Sequence, residues 1–305
     1  MAAKEMCFEH VHISQRDAFD IVKASGENIL TYLQGQITQD MQKLSSRQAL
    51  YAVILQAQGK AITDFYLLQT QKNENWAEVM FICPGDYSLA LVERLRRFAL
   101  GFELRIGKVS SWKVWSVQGA DADEFLGANH MPVPRHQPLA TAHEGDVFAL
   151  RMSESEQGGV WLMGADIPLK ANADEAVMEQ GRILQGIPRF GVDWDARVYP
   201  LNANVVERGG VSFDKGCYVG QEVTSRMRWR GGIKKKLYQV QVCESASLPC
   251  PLFTTARVGE ITSLAKRKDG EYIGIALLPI EVVESGKALQ TEQGLNVQVL
   301  GVCGV

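Results

Sequence analysis

The sequence lacks paired cysteines. Six are present, Cys7, Cys83, Cys217, Cys243, Cys250 and Cys303, and none forms a Cys-x-x-Cys pair. No histidine follows at zinc-finger spacing, so neither a metal site nor a redox dithiol is expected. Scattered thiols in a chain of 305 residues fit a reducing, intracellular setting. The chain also lacks any uninterrupted apolar run near the ~18 residues of a membrane span. Its opening stretch, Met1 to His10, has neither an apolar segment nor the Arg- and Ser-rich amphipathic character of a targeting peptide. A cytoplasmic protein is expected, or a mature mitochondrial matrix protein whose presequence has been cut away. An excess of one charge is missing too. With a net charge of −3, no overall field draws the chain to nucleic acid or an anionic membrane. Any polyanion binding must come from a local patch. Internal repeats and low-complexity segments are also absent.

What is present is an ordinary globular balance, 46% hydrophobic and 22% charged, long enough for two or three domains and a sizeable core. Helical and strand patterns alternate irregularly, which argues α+β rather than a doubly wound sheet. Ser25 is expected to cap a short helix carrying Ile29, Tyr32 and Leu33, broken at Gly35. Residues 50 to 56 read as a buried strand, Gly59 as a turn, and Ile62 to Leu68 as the return strand of a hairpin. Ser88 opens an amphipathic helix with Leu91, Val92, Leu95 and Phe98; Arg94, Arg96 and Arg97 are expected on its solvated face. Strands are expected at Phe102 to Ile106 and Lys113 to Val117. The proline-rich stretch 129–138, with His130 and His136, reads as a surface loop. Asp174 and Glu175 suit a helix N-terminus, and Gly186 with Pro188 ends that helix. Beyond residue 232 the strands are short and turn-separated, as in a small β-barrel.

Chemistry-bearing residues concentrate between 209 and 232. Glycines recur there and permit tight turns and close backbone approach to a ligand. Lys215-Gly216-Cys217-Tyr218 sets a cation near a thiol. A neighbouring ammonium favours thiolate and would make Cys217 nucleophilic; equally, a partly buried cysteine can serve packing alone. From Glu222 the pattern alternates, Val223, Met227 and Trp229 against Thr224, Arg226, Arg228 and Arg230, which reads as a half-buried strand with a hairpin turn at Gly231-Gly232. Six basic residues, Arg226, Arg228, Arg230 and Lys234 to Lys236, fall within eleven positions without an acid between them. They suit either a solvated strand edge or a contact for phosphates or a run of carboxylates.

The octet Lys215-Gly216-Cys217-Tyr218-Val219-Gly220-Gln221-Glu222 resembles the YgfZ family, folate-binding relatives of the glycine-cleavage T-protein (aminomethyltransferase). Other segments agree in order: Tyr32 to Asp40, Gln58-Gly59-Lys60, Arg182 to Pro188 with Gly191 and Pro200-Leu201-Asn202, and Val258 to Ser263 with Gly274 to Leu277. The resemblance spans essentially the whole chain. It implies an α+β fold of three domains in a ring around a central channel. Two domains are α+β, the first built from 1–48 plus about 112–200 and the second from about 49–111 plus 201–231; the third is a β-barrel from 232 to 305. It also implies tetrahydrofolate or a one-carbon derivative in the channel. The implied role is in assembly or repair of iron–sulfur proteins, including radical enzymes that thiolate tRNA, so that tRNA modification depends on it indirectly.

On this reading Cys217 is the reactive group and Lys215 activates it. Tyr218, Gln221, Glu222, Asp64, Gln185, Asn202, Arg226 and Arg228 are the expected ligand-binding residues. A single cysteine cannot complete a cluster site, which generally takes four protein ligands, so transient contact with a client is favoured over stable cluster binding. Two departures from the T-protein bear on catalysis. Thr63 stands where that enzyme has the first of two adjacent acids, leaving Asp64 alone. Leu184 stands where a glutamate holds the pterin edge, leaving Gln185 as a substitute. The alternatives are an aminomethyltransferase-like enzyme and an RNA-binding module using the basic residues around Trp229. The same basic stretch could instead meet a polyglutamate tail on folate.

Overall fold

The computed structural model describes residues 10–152 and 159–304. Cys7 and nearly all of the N-terminal stretch lie outside the described residues. The described chain forms two five-stranded antiparallel sheets and a closed six-stranded barrel.

The first sheet runs β1 (His12–Gln15), β7 (Lys113–Gln118), β10 (Gly159–Gly164), β9 (Val147–Met152), β8 (Thr141–Glu144). The second runs β3 (Leu50–Leu55), β4 (Ala61–Lys72), β5 (Trp76–Pro84), β2 (Phe19–Glu27), β6 (Leu104–Lys108). Side chains alternate across each sheet, so every inner strand feeds two cores. On the second sheet Leu50, Ala52 and Ile54 face α1 (Ile29–Gln34) and α2 (Ser88–Arg97), while Ile21, Leu68, Met80 and Ile82 meet Leu150, Trp161 and Met163 of the first sheet. The two sheets thus share a core. The first sheet's other face is covered by Leu126 of α3 (Ala122–Ala128).

The barrel closes in the order β11 (Lys235–Val242), β14 (Tyr272–Pro279), β13 (Arg257–Lys266), β12 (Cys250–Phe253), β15 (Leu289–Thr291), β16 (Asn296–Val302), with α6 (Ile280–Glu284) after β14. Closure leaves no free sheet edge. A fourth core joins the second sheet to the barrel, packing Tyr51, Val53 and Leu55 of β3 with Phe190, Trp194, Leu201 and Tyr218 and with Leu237 and Ile275 of the barrel. The helix α4 (Glu175–Leu184) lies against the barrel. Its Arg182 is buried and bonded to Glu179 and to Asp193, which also accepts from Thr262 and Ser263 of β13. Charges this deep persist only when paired on every side, so this cluster is a fixed joint.

Several expectations need correction. Ser25 caps nothing: it lies in β2, paired with Glu78 and Arg105, and the chain enters α1 through Asn28 in the left-handed region, φ 57°. Among the described residues β1 pairs with β7 in the first sheet, whereas β2 pairs with β5 and β6 in the second. Arg94 is buried, donating to Gln36 at 3.0 Å and stacking over Phe98 at 3.8 Å, while Arg96 and Arg97 are exposed as expected.

The largest correction falls on residues 221–232. They form a helix, α5 (Gln221–Trp229), and not a strand. Val223 and Met227 share a face in either geometry, since four residues are two strand repeats and about one helical turn. Thr224 and Trp229 discriminate. A strand would expose Thr224 with the arginines and bury Trp229; the structure buries Thr224 and leaves Trp229 72% exposed. Gly231 (φ 70°) and Gly232 end the helix, with the Gly232 N–H donating to the Met227 carbonyl at 3.0 Å. That is a helix C-terminal stop, where the sequence suggested a hairpin. The next strand does begin within the lysine run, at Lys235.

Candidate functional site

Three segments far apart in sequence meet around the octet. The turn after α1 offers carbonyls: Gly35 accepts from the Val219 N–H at 3.2 Å, and Thr38 accepts from the Ser212 N–H at 3.0 Å. The Thr38 hydroxyl donates to the Gly210 carbonyl at 2.6 Å and accepts from the Val53 N–H at 2.9 Å, tying the turn to both loop and hairpin. The β3–β4 hairpin supplies the third side. Gly220 (φ 84°) packs so closely on it that a Cβ there would stand 2.7 Å from the Gln56 carbonyl oxygen. Gly59 (φ 75°) in turn lies beneath Val223, where a Cβ would come within 2.7 Å. Both glycines are required by conformation and by space.

Within this frame Lys215 is buried. Its ammonium donates to the carbonyls of Ile37 (2.9 Å) and Gln39 (2.8 Å). Burial lowers its pKa to about 8, with Asp40 opposing the shift. Its contacts fasten the loop to the α1 turn. Tyr218 is buried in the joint core, with its ring centroid 5.0 Å from the Lys215 nitrogen. Its hydroxyl lies near Thr224 without a hydrogen bond of good geometry, and burial pushes its pKa up to about 12. Cys217 is exposed, between two anchored residues. Of the other described cysteines only Cys243 is also exposed.

The remaining expected residues divide. Gln221 accepts from the Tyr218 N–H at 3.4 Å and so braces the loop. Glu222 points to solvent and pairs with Arg226 at 3.2 Å along the helix. Arg228 is exposed between the rings of Phe213 (5.5 Å) and Trp229 (5.7 Å). Asn202 follows Pro200 in a short 3₁₀ turn, and its buried side-chain oxygen has no hydrogen-bond partner among the described residues. Asp64 is buried in β4, accepting from the Tyr51 hydroxyl at 2.8 Å and lying 3.6 Å from Arg208. Burial raises its pKa, while Arg208 and the Tyr51 hydrogen bond pull it back. Thr63 beside it is fully buried and donates to the Asp64 carbonyl.

Gln185 lies elsewhere, at the C-terminal end of α4. With Leu184 it lines a cavity of about 660 Å³ between α4, the ends of β1 and β7, and the barrel. Gln239 closes the barrel side and donates to the Ile183 and Leu184 carbonyls. The Gln185 amide has no hydrogen-bond partner among the described residues and keeps both donor and acceptor free. None of Asp64, Asn202 or the octet lines this cavity. Sequence reasoning passed over Arg208, Gln239 and the Lys266-Arg267-Lys268 run at the cavity's edge. The one signal available was the run itself, standing before the turn residues Asp269-Gly270.

Among the described residues no His, Cys, Asp and Glu side chains are grouped to hold a metal ion. No helix among them is long and apolar enough to cross a membrane.

No protein-family model matches the chain. A tRNA-modifying protein YgfZ from Hamiltonella defensa is 25% identical over 281 residues, covering 88% of this chain and 79% of the relative. The mitochondrial iron–sulfur cluster assembly factor IBA57 of Homo sapiens is 25% identical over 304 residues, covering 92% and 81%. The crystal structure of the glycine cleavage system aminomethyltransferase T from Bartonella henselae matches with a TM-score of 0.83 over 97% of this chain and 86% of that one, at 16% identity. That likeness establishes the fold. The chain is thus similar to YgfZ and IBA57 proteins over most of its length, and it has the α+β fold of the glycine-cleavage T-protein with its closing β-barrel.

Proposed function

We propose that this protein is a folate-binding accessory factor for iron–sulfur protein assembly or repair, and that it supports tRNA modification through its clients. The observation that carries this reading is the octet's geometry. A loop locked by Gly220, Lys215 and Val219 to two distant segments presents one exposed thiol, Cys217. A thiol on a rigid mount suits brief contact with a client's cluster, since one ligand is too few to hold a cluster. The names of the relatives, a tRNA-modifying protein and an iron–sulfur assembly factor, point the same way.

The cavity beside Leu184 and Gln185 suits tetrahydrofolate. Its volume is in the usual range for small-molecule sites, and its lining sets Val177, Leu184, Ile273 and Leu300 among polar side chains that include Gln118, Gln180, Gln185 and Gln239. Gln185 would meet the polar pterin edge, and Leu184 and Ile273 would pack on the ring. When bound, the folate would supply one-carbon chemistry. The alternatives have less support. Aminomethyl transfer needs a carboxylate free to orient the amine, and Asp64 is enclosed by Tyr51 and Arg208. RNA binding has only the exposed Trp229 and Arg228 in its favour, on an acidic chain.

Comparing wild type with Cys217→Ser tests the reading. Both proteins are expected to show the same thermal stability and the same stabilisation by tetrahydrofolate, and only wild type should restore a client iron–sulfur enzyme. Full restoration by Cys217→Ser would remove the thiol role; the absence of any tetrahydrofolate-induced shift would remove the folate.

A further inference from the structure

An apolar projection lies outside the site described above. At the end of α2 the chain turns through Phe98, Ala99, Leu100, Gly101 and Phe102 before entering β6. Leu100 is 90% exposed, Phe98 45% and Phe102 37%. A Cβ built on Gly101 (φ 85°) would meet no heavy atom within 4 Å, so the tip stands out from the surface and forms no groove. It is nonetheless held firmly. The Phe102 ring lies 5.2 Å from that of Tyr32 in α1, whose hydroxyl donates to the Leu95 carbonyl, and Arg94 stacks on Phe98 while donating to Gln36. Cations flank the tip. Residues 93–108 carry Arg94, Arg96, Arg97, Arg105 and Lys108 against Glu93 and Glu103. Lys108 is answered by Asp20 at 2.6 Å, but Arg97 and Arg105 are exposed with no carboxylate partner among the described residues. Arg94, beneath Phe98, has none either, and its buried Nη2 is without a hydrogen-bond partner among them.

From this arrangement we infer that the tip 98–102 docks the protein on an anionic lipid bilayer, as a peripheral contact. Apolar side chains left in water at a projection, with cations beside them, suit a headgroup interface. Leu100, Phe98 and Phe102 enter the acyl boundary, and Arg97 and Arg105 meet lipid phosphates. Each part needs the other. Three side chains bury too little area to hold the protein on a neutral membrane, and a chain of net charge −3 is drawn to an anionic surface only by a local excess of cations. Arg94 adds a charge buried without a counter-ion, directly under the ring of Phe98. A soluble partner would need a shaped hollow to enclose Leu100, whereas a bilayer buries it without one. A second copy of the chain is disfavoured, since a two-fold contact would set the same cations against each other. The α1 turn that receives Arg94 at Gln36 also holds the octet, through Gly35 and the Val219 N–H, so docking would keep the thiol loop at a fixed attitude to the bilayer.

The test is co-sedimentation of the full chain with vesicles at low salt, one set of pure phosphatidylcholine and one of phosphatidylcholine and phosphatidylglycerol in equal parts. Wild type should bind the mixed vesicles at least about tenfold more strongly than the neutral ones, and lose most of that preference as salt rises. Leu100→Asp, at a position open to water, should leave thermal stability unchanged and cut partition to the mixed vesicles about tenfold. Arg97→Gln/Arg105→Gln should cut it by a similar factor. Lys234→Gln/Lys235→Gln, which alters the separate basic run after α5, should bind as wild type does. Absence of wild-type binding, equal binding to both kinds of vesicle, or binding untouched by either change at the tip would overturn the inference, as would its loss in the 234/235 variant. Self-association in solution that Leu100→Asp abolishes, with no vesicle binding, would overturn it too and assign the tip to a second copy.

Discussion

Residues 215–220 and 226–230 are near neighbours in the chain, and both carry cations beside glycines and an aromatic. The structure uses them in opposite ways. The first is drawn inward: Lys215 gives its hydrogens to two buried carbonyls, Tyr218 enters the joint core, and Gly220 lies against the hairpin backbone. The second stays outside, with Arg226 paired to Glu222 of its own helix and Trp229 turned to water. A lysine between glycines and an arginine beside tryptophan look equally functional on paper. What separates them is whether other segments bring acceptors to the cation. For Lys215 the α1 turn does, and the residue becomes structural support for the exposed Cys217.

Breaking the inner region should cost most. Gly220→Ala places a Cβ 2.7 Å from the Gln56 carbonyl oxygen at a φ of 84°, and is expected to destabilise the protein by about 3 kcal/mol. Urea unfolding would measure it, and a loss under about 1 kcal/mol would mean that the loop is not locked. Lys215→Met comes next. It strips the Ile37 and Gln39 carbonyls of a buried donor and should cost about 2 kcal/mol near neutral pH.

That second variant also has a pH signature. The folded pKa of Lys215 is about 8, below its ordinary 10.5. Below the lower value the ammonium is protonated folded and unfolded alike, and the penalty of burying it is carried in full. Between the two values the unfolded chain holds the proton more tightly, so stability rises with pH across this window. Unfolding curves of wild type should gain on those of Lys215→Met from about pH 8 upward. A flat difference would show that the ammonium is not desolvated. Smallest of all, Trp229→Ala on the outer region should change stability by no more than about 0.5 kcal/mol. A larger loss would mean that α5 is covered in solution by something the chain itself does not supply.

Legibility followed the range of the interactions. The β3–β4 hairpin, α2 and the stop after α4 were readable because each rests on residues a few positions apart: Gly59 in a turn, Leu91 and Leu95 on one helical face, Gly186 followed by Pro188. The octet announced itself by resemblance, and its Cys217 is exposed. The strand reading of 221–230 failed because Val223 and Met227 satisfy both periods, and only the burial of Thr224 separates them. Arg94 was placed in solvent because its partner Gln36 is 58 positions away. The cations of the cavity mouth were passed over since nothing near Lys266 in sequence foretells that α4 lies opposite.

By itself the sequence determined the α+β class, the closing barrel, the positions of the tight turns and the identity of the exposed thiol's loop, because local sterics and hydrophobic period are properties of short segments. Only the tertiary structure decided that Lys215 fastens the loop, that Asp64 is enclosed by Tyr51 and Arg208, and that Gln185 shares a cavity with Lys266 and Lys268. Each of these depends on desolvation and on partners brought from distant segments, and a charge or an amide has no fixed role until the fold has chosen its surroundings.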